Sequence, residues 1–234
     1  MTERVEIPTD AGPMPADLFP ATDGGGAGTR PGVVVVQEIF GVTDYVLDRA
    51  ADLAASGYDA LVPHLFWRHG DTVVEGDDDA ALGRAMGLAS SLDWDTAVAD
   101  TRAALALLRD RGAGGVGLVG FCWGGGIAFD AASRESDDVA ALVAYYASGL
   151  PGLLERAPGV TAPSLHHWGT EDAFISREQV AEIEAAVVRE GVRLERYEGA
   201  GHAFDNPFPR FHHVEASALA WDRTLRLLAD SLDA

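Results

Sequence analysis

Residues 116–129 read VGLVGFCWGGGIAF, and the fold is decided there. Val116, Leu118 and Val119 form a short apolar run that suits a buried strand. Gly120-Phe121-Cys122-Trp123-Gly124 follows, then Gly125, Gly126 and Ile127-Ala128-Phe129, which begin a helix. A strand running straight into a helix needs a very tight turn. Glycines on both sides let the two elements pack closely. The central residue is then forced into a strained backbone conformation, its side chain at the carboxyl edge of the sheet. That is the pattern of a nucleophile elbow, G-x-S-x-G, with Cys122 in the place of serine. The competing reading of Cys122 is a small buried hydrophobe, the commonest fate of a free cysteine.

Upstream of this stretch, Asp93 to Arg111 predicts a long amphipathic helix. Val98, Ala104, Leu105, Leu107 and Leu108 line one side, Asp93 or Asp95 starts it and Gly112 ends it. Gly112, Gly114 and Gly117 satisfy G-x-G-x-x-G, but this run follows a helix and enters a strand. A dinucleotide fingerprint does the reverse, so these glycines read as a loop. Asp77 to Leu92 is a short helical stretch with little apolar area, expected as a small cap over the site. Val33 to Val36 is four valines without alternation, which suits a central strand buried on both faces. Glu38 follows at the carboxyl edge, where open parallel sheets place ligands; a solvated loop glutamate is the competing reading. Thr43-Asp44 caps a helix to about Ser56, stopped by Gly57. Tyr58 to Pro63 reads as a strand, and the aromatic run His64 to His69 as a pocket wall. Residues 1–20 read as a hairpin or edge strands, and Asp23 to Gly32 as a glycine-rich loop.

Downstream, strands are predicted over 140–147, 162–168 and 192–197. Ser176 caps a helix through Glu190, and Val214 to Leu232 forms the closing helix. Strands alternating with helices give an α/β class: a mostly parallel central sheet with helices on both faces. The 234 residues, 47% of them hydrophobic, suit one domain over 1–234, with 77–92 as its cap segment.

The 17 basic residues face 37 acidic ones, a net charge of −20. No basic face is easily assembled, so neither nucleic acid nor an anionic membrane is an expected partner. Every basic residue is arginine. The absence of lysine excludes a lysine Schiff base, a pyridoxal phosphate lysine and a Walker A lysine. The single cysteine excludes an internal disulfide. MTERVEIPTD has no positive region followed by an apolar core, so no secretory signal is expected. No apolar run approaches membrane-spanning length. The expectation is a cytoplasmic protein, a monomer or small homo-oligomer, using no cofactor.

Cys122, Asp172 and His202 each lie just beyond a predicted strand. In a parallel sheet those ends share one edge, and nucleophile, acid, histidine is the chain order of α/β-hydrolases. A free thiol has a pKa of about 8.5 and is little ionised at neutral pH. An imidazole that takes its proton leaves a thiolate, and an aspartate behind the imidazole fixes its tautomer. The thiolate attacks a carbonyl carbon and backbone N–H groups hold the resulting oxyanion. Trp123 is one natural donor, and Ile39 is the best placed second. Glu171 competes with Asp172, which is preferred because it leads into apolar Ala173-Phe174. His166 and His167 compete with His202 but sit within a strand pattern, one per face. His64, His69 and Asp71 fit no strong metal-ligand spacing. His212 and His213, adjacent on an expected helix, make a poor metal pair.

QEIFGV at 37–42, GFCWGG at 120–125, the Gly169–Phe174 segment and GAGHAF at 199–204 resemble the dienelactone hydrolase (carboxymethylenebutenolidase) family. The resemblance implies an α/β-hydrolase fold and a cysteine hydrolase with Cys122, Asp172 and His202 as triad. It implies that Glu38 interacts with the resting thiol and takes part in forming the thiolate, and that Trp123 and Ile39 donate to the oxyanion. Phe40 and Tyr145 match aromatic pocket positions. Members that hydrolyse dienelactone grip its carboxylate with arginines, one of them four residues past the histidine. Here that residue is Asn206, after Asp205, and Arg84 is the arginine of the cap segment. The expected activity is therefore hydrolysis of a small ester or lactone, a dienelactone-like enol-lactone included, through an acyl thioester on Cys122. The alternative is a non-catalytic small-ligand-binding protein on a hydrolase fold. A redox-sensing thiol would want a resolving cysteine, and there is none.

Overall fold

The computed structural model describes residues 2–22, 30–70, 72–76, 78–134 and 138–232. Residues 23–29 of the expected glycine-rich loop lie outside the described residues, as do Asp71 and Asp77. Among the described residues, eight strands form one sheet in the order β1-β2-β4-β3-β5-β6-β7-β8. β1 (Glu3–Thr9) and β2 (Gly12–Phe19) make the opening hairpin, and β2 pairs antiparallel with β4 (Asp59–Pro63). The remaining pairings are parallel. β3 (Gly32–Val36), β5 (Val116–Phe121) and β6 (Ala141–Tyr145) are buried along their whole length. Helices on both faces leave no solvent side to alternate toward, hence the unbroken apolar runs.

The glycines of β5 show which helix covers which face. A side chain at Gly117 would touch Leu228 and Leu232 of α6 (Val214–Leu232). Gly120, of opposite parity, faces Ala128 of α4 (Trp123–Arg134). α1 (Asp44–Ala55) joins α6 through Arg49, whose guanidinium stacks 4.5 Å from the Trp221 ring. α3 (Trp94–Asp110) packs beside α4, and the Asp93 carboxylate caps it by accepting from Thr96 N at 2.9 Å. α2 (Asp79–Ser91) is capped the same way, by Asp78.

β7 (Ser164–Gly169) carries the two adjacent histidines to opposite faces. His166 packs against Phe129 of α4, and His167 bonds Tyr197 of β8 (Val192–Tyr197) and Thr224 of α6. Burial pushes His166 down to about 4 and His167 below its ordinary range, so both are neutral packing residues near pH 7.

Three local expectations change. α5 (Arg177–Val187) stops three residues short of Glu190. Val188 turns extended, and Arg189 folds back to donate to the carbonyls of Val187, Ala157 and Val160. His212 and His213 precede α6 instead of lying on a helix: the chain turns with His213 N donating to Phe204 O, and His213 O then accepts from Ser217 N. The aromatic run 64–69 does not line the cavity of the sheet edge. Phe66 lies 5.6 Å from the Trp123 ring, and Trp67 and Arg68 both donate to buried Asp100 of α3. This loop supports the start of α4 from behind.

Candidate active site

Among the described residues, three non-glycine residues have positive φ: Cys122 (52°), Tyr146 (36°) and Ala203 (58°). All three lie at the carboxyl edge of the parallel strands, a concentration of backbone strain of the kind functional sites hold. The turn at Cys122 exists because the residues two positions away on either side, Gly120 and Gly124, have no side chains. A Cβ on Gly120 would collide with the carbonyl oxygen of Gly124, and one on Gly124 with the carbonyls of Val36 and Gln37. α4 can therefore start one residue after the strand ends, with Cys122 at the crest.

Cys122 Sγ lies 3.1 Å from His202 Nε2 and 3.4 Å from Ser148 Oγ. His202 Nδ1 lies 2.7 Å from Asp172 Oδ2. The other carboxylate oxygen, Oδ1, accepts from Phe174 N at 2.8 Å and Ile175 N at 3.0 Å, so the carboxylate has one orientation. Burial opposes a charge on His202, but Cys122 and Asp172 outweigh it and raise its pKa to about 10. This suits an imidazolium beside a thiolate. Glu171 points away, exposed and paired with Arg177 at 2.7 Å.

Glu38 is 1% exposed. It does not hydrogen-bond Cys122; Asn206 Nδ2 donates to its Oε2 at 2.8 Å, and its Oε1 lies 3.3 Å from Tyr146 Oη. Burial pushes its carboxyl up to about 7, against the hydrogen bonds of Asn206 and Tyr146 and the charge of His202. The row continues: Tyr146 Oη is 3.2 Å from Tyr45 Oη, which is 2.7 Å from Asp205 Oδ2. Arg49 clamps that aspartate through Nε and Nη2, each at 2.8 Å. Three oxygen–oxygen contacts join Glu38 to Asp205, yet the two tyrosines hold two hydroxyl hydrogens. A proton on Glu38 supplies the third, so the geometry favours the neutral acid that burial also favours.

Trp123 and Ile39 line the same cavity as Cys122. Trp123 is the first residue of α4, where backbone N–H groups have no acceptor within the helix. The cavity holds about 380 Å³ and is walled by Phe40, Leu82, Met86, Trp94, Phe174 and Phe211. α2 presents Leu82, Met86 and Ala89 to it, the spacing of one helical face.

Two expected pocket residues stand elsewhere. Tyr145 ends β6 with its ring between Phe121 and His167 and its hydroxyl 2.6 Å from Thr224 of α6. Strand parity sends it to the far face of the sheet. Tyr146, one residue on, turns through its positive φ and sets its ring 5.2 Å from that of His202. Arg84 projects away from the cavity, 3.4 Å from Glu75 O. At about 100° per residue it lies opposite the face of Leu82 and Met86. No sequence motif marks Tyr146 or Ser148. Their only signal is position, just past a strand that ends beside the elbow.

Among the described residues, no group of three or more His, Cys, Asp or Glu is placed to hold a metal ion. His64 is engaged with Asp17, 2.8 Å away, and Arg4. Among the same residues no helix is long and apolar enough to cross a membrane.

An elbow at the carboxyl edge of a mostly parallel sheet, with helices on both faces, defines an α/β-hydrolase. The chain belongs to the dienelactone hydrolase family, whose model matches residues 21–232. It is 35% identical over 205 residues to a carboxymethylenebutenolidase of Pseudomonas sp. (strain P51), covering 86% of this chain and 85% of that one. It is 30% identical over 225 residues to the carboxymethylenebutenolidase of Rhodococcus opacus, covering 92% and 86%. A solved Klebsiella pneumoniae protein, provisionally named a dienelactone hydrolase, superposes with a TM-score of 0.85 at 28% identity over 98% of both chains. The chain is accordingly a hydrolase.

Proposed function

We propose that this hydrolase cleaves a small ester or lactone by nucleophilic attack of Cys122, through an acyl thioester. The observation that carries the reading is the contact chain from Cys122 Sγ through both nitrogens of His202 to Asp172, at 3.1 and 2.7 Å. His202 takes the thiol proton, and the thiolate adds to the carbonyl carbon. The oxyanion is held by the amides of Trp123 and Ile39, which belong to a rigid turn and a short loop. Collapse of the tetrahedral adduct breaks the C–O bond, and His202 Nε2–H returns the proton to the leaving oxygen. In a lactone the alcohol stays tethered to the acyl group. Water, deprotonated by His202, then attacks the thioester, and the thiolate is released with the acid.

The direct test is to mix the protein with a slowly deacylating 4-nitrophenyl ester and measure intact mass. The expected result is one acyl adduct on Cys122, with hydrolysis lost on alkylation by one equivalent of iodoacetamide. Turnover that survives full alkylation overturns the reading. Stoichiometric ligand binding without turnover would favour the non-catalytic alternative.

Glu38 gives a prediction of its own. Its carboxyl titrates at about 7 in the folded protein against an ordinary 4.5. Between those values the folded state holds a proton that the unfolded state has lost, so stability falls as pH rises through this window. By pH 8 the cost is about 3 kcal/mol. Glu38→Gln mimics the protonated acid: its carbonyl accepts from Asn206 and its amide donates to Tyr146. Urea unfolding should find the variant more stable than the parent by up to about 3 kcal/mol at pH 8 and nearly equal at pH 4. A constant difference across the range would mean that Glu38 titrates alike in the folded and unfolded states.

A further inference from the structure

The cavity in front of Cys122 makes a statement about charge. Its walls are mostly aromatic and aliphatic, with Ser90 and Ser148 among them, and among the described residues no arginine lines it. Its one ionisable group besides the Cys122–His202 pair is Glu38, an acid. Each nearby cation is committed elsewhere. Arg49 holds Asp205 with two hydrogen bonds. Arg84 lies on the opposite face of α2. Arg210 pairs with Asp79 at 2.7 Å and stacks on Phe211, in an adjoining cavity that shares Leu82, Phe174, His202 and Phe211 with this one. The polar side chains that approach Glu38 are the hydroxyl of Tyr146 and the amide of Asn206, whose Nδ2 donates to Glu38 while its Oδ1 accepts from Phe208 N.

A carboxylate entering this space loses its hydration and finds no cation beyond His202, already held between Cys122 and Asp172, which costs far more than burying an uncharged group of the same shape. The negative end of Glu38, as it ionises, adds repulsion. An apolar acyl chain gains from the same walls. We infer that the site takes an uncharged ester or lactone with an apolar acyl group, and rejects one bearing a carboxylate remote from the reacting carbonyl. The inference rests on the ester or lactone reading above and narrows it. The walls select by what they lack.

The test pairs turnover with binding, so that the two readings fail separately. At pH 8, kcat/KM for 4-nitrophenyl butyrate should exceed that for mono-4-nitrophenyl succinate by about 100-fold. In parallel, iodoacetamide alkylation of Cys122 is followed with two isosteric unreactive ketones, 5-methylhexan-2-one and 4-oxopentanoate. The neutral ketone should protect at concentrations at least about tenfold lower than the keto acid. Met86→Arg, on the half-exposed rim of the cavity, should shrink both preferences about tenfold by supplying the missing charge. Equal or reversed preference in the ester pair, equal or reversed protection, or no protection by the neutral ketone overturns the inference. Absence of turnover for both esters, with protection still favouring the neutral ketone, overturns the hydrolytic reading and leaves the inference about charge standing.

Discussion

Cys122→Ala should lower kcat/KM for a neutral aryl ester by on the order of 10,000-fold or more, with the protein still folded. The size of the effect follows from what is left. His202 and Asp172 stay in place, and Trp123 and Ile39 still line the cavity. They can orient a water, but nothing remains that carries a stored electron pair at the reacting carbon, and residual rates of this kind sit far below covalent ones. The expected structural cost is small. Alanine accepts the backbone in principle, for Ala203 in this same chain holds φ at 58° beside Cys122 at 52°. The sulfur is 8% exposed with its residue, so its removal opens a space toward the cavity and not a sealed void. Unfolding free energy should change by about 1 kcal/mol. Two measurements check the prediction together: steady-state kinetics, and intact mass after acylation, which should show no adduct. A variant within tenfold of the parent would mean that the sulfur is not the attacking atom.

The elbow was legible because sterics leave it few spellings. A strand that becomes a helix in one residue excludes side chains at Gly120 and Gly124, and the sequence records that exclusion as glycine. The valines of β3 were legible for the complementary reason, since a strand covered on both faces has nothing to alternate with. Asp172 and His202 could be placed because strand ends in a parallel sheet share an edge. What the sequence did not disclose depends on direction. Tyr145 and Tyr146 are chemically identical neighbours, and one positive φ decides which of them enters the site. Arg84 was an available cation by composition, but helical phase turns it from the cavity. The partner of Glu38 was equally hidden. The resemblance pairs that carboxyl with the thiol, whereas here Asn206 and Tyr146 hold it in a hydrogen-bonded row that ends on Arg49. The early end of α5 comes from the long reach of one arginine, which local propensity does not record.

Asp172→Asn should lower kcat/KM by about 10,000-fold, through the tautomer of His202 and not through loss of structure. The geometry dictates which way the new amide points. Oδ1 of Asp172 accepts from two backbone N–H groups, those of Phe174 and Ile175. An asparagine must place its carbonyl oxygen there, because an NH2 group would oppose two donors. Its NH2 then faces His202 Nδ1, which lies 2.7 Å from Oδ2 in the parent. Nδ1 becomes the acceptor, the ring proton moves to Nε2, and Nε2–H points at Cys122 Sγ. An imidazole in that tautomer cannot take the thiol proton. The same substitution removes the negative charge that helps raise the imidazole pKa, so the ion pair loses support from both directions. The loop itself keeps its two backbone bonds, and urea unfolding should differ from the parent by no more than about 2 kcal/mol. The rate of iodoacetamide alkylation at pH 7 reads the thiolate directly and should fall in parallel with turnover. Glu171→Gln, on an exposed side chain paired with Arg177, should change either rate less than about twofold. If Asp172→Asn left alkylation fast and Glu171→Gln slowed it, the carboxylate behind His202 would be the wrong one of the two neighbours.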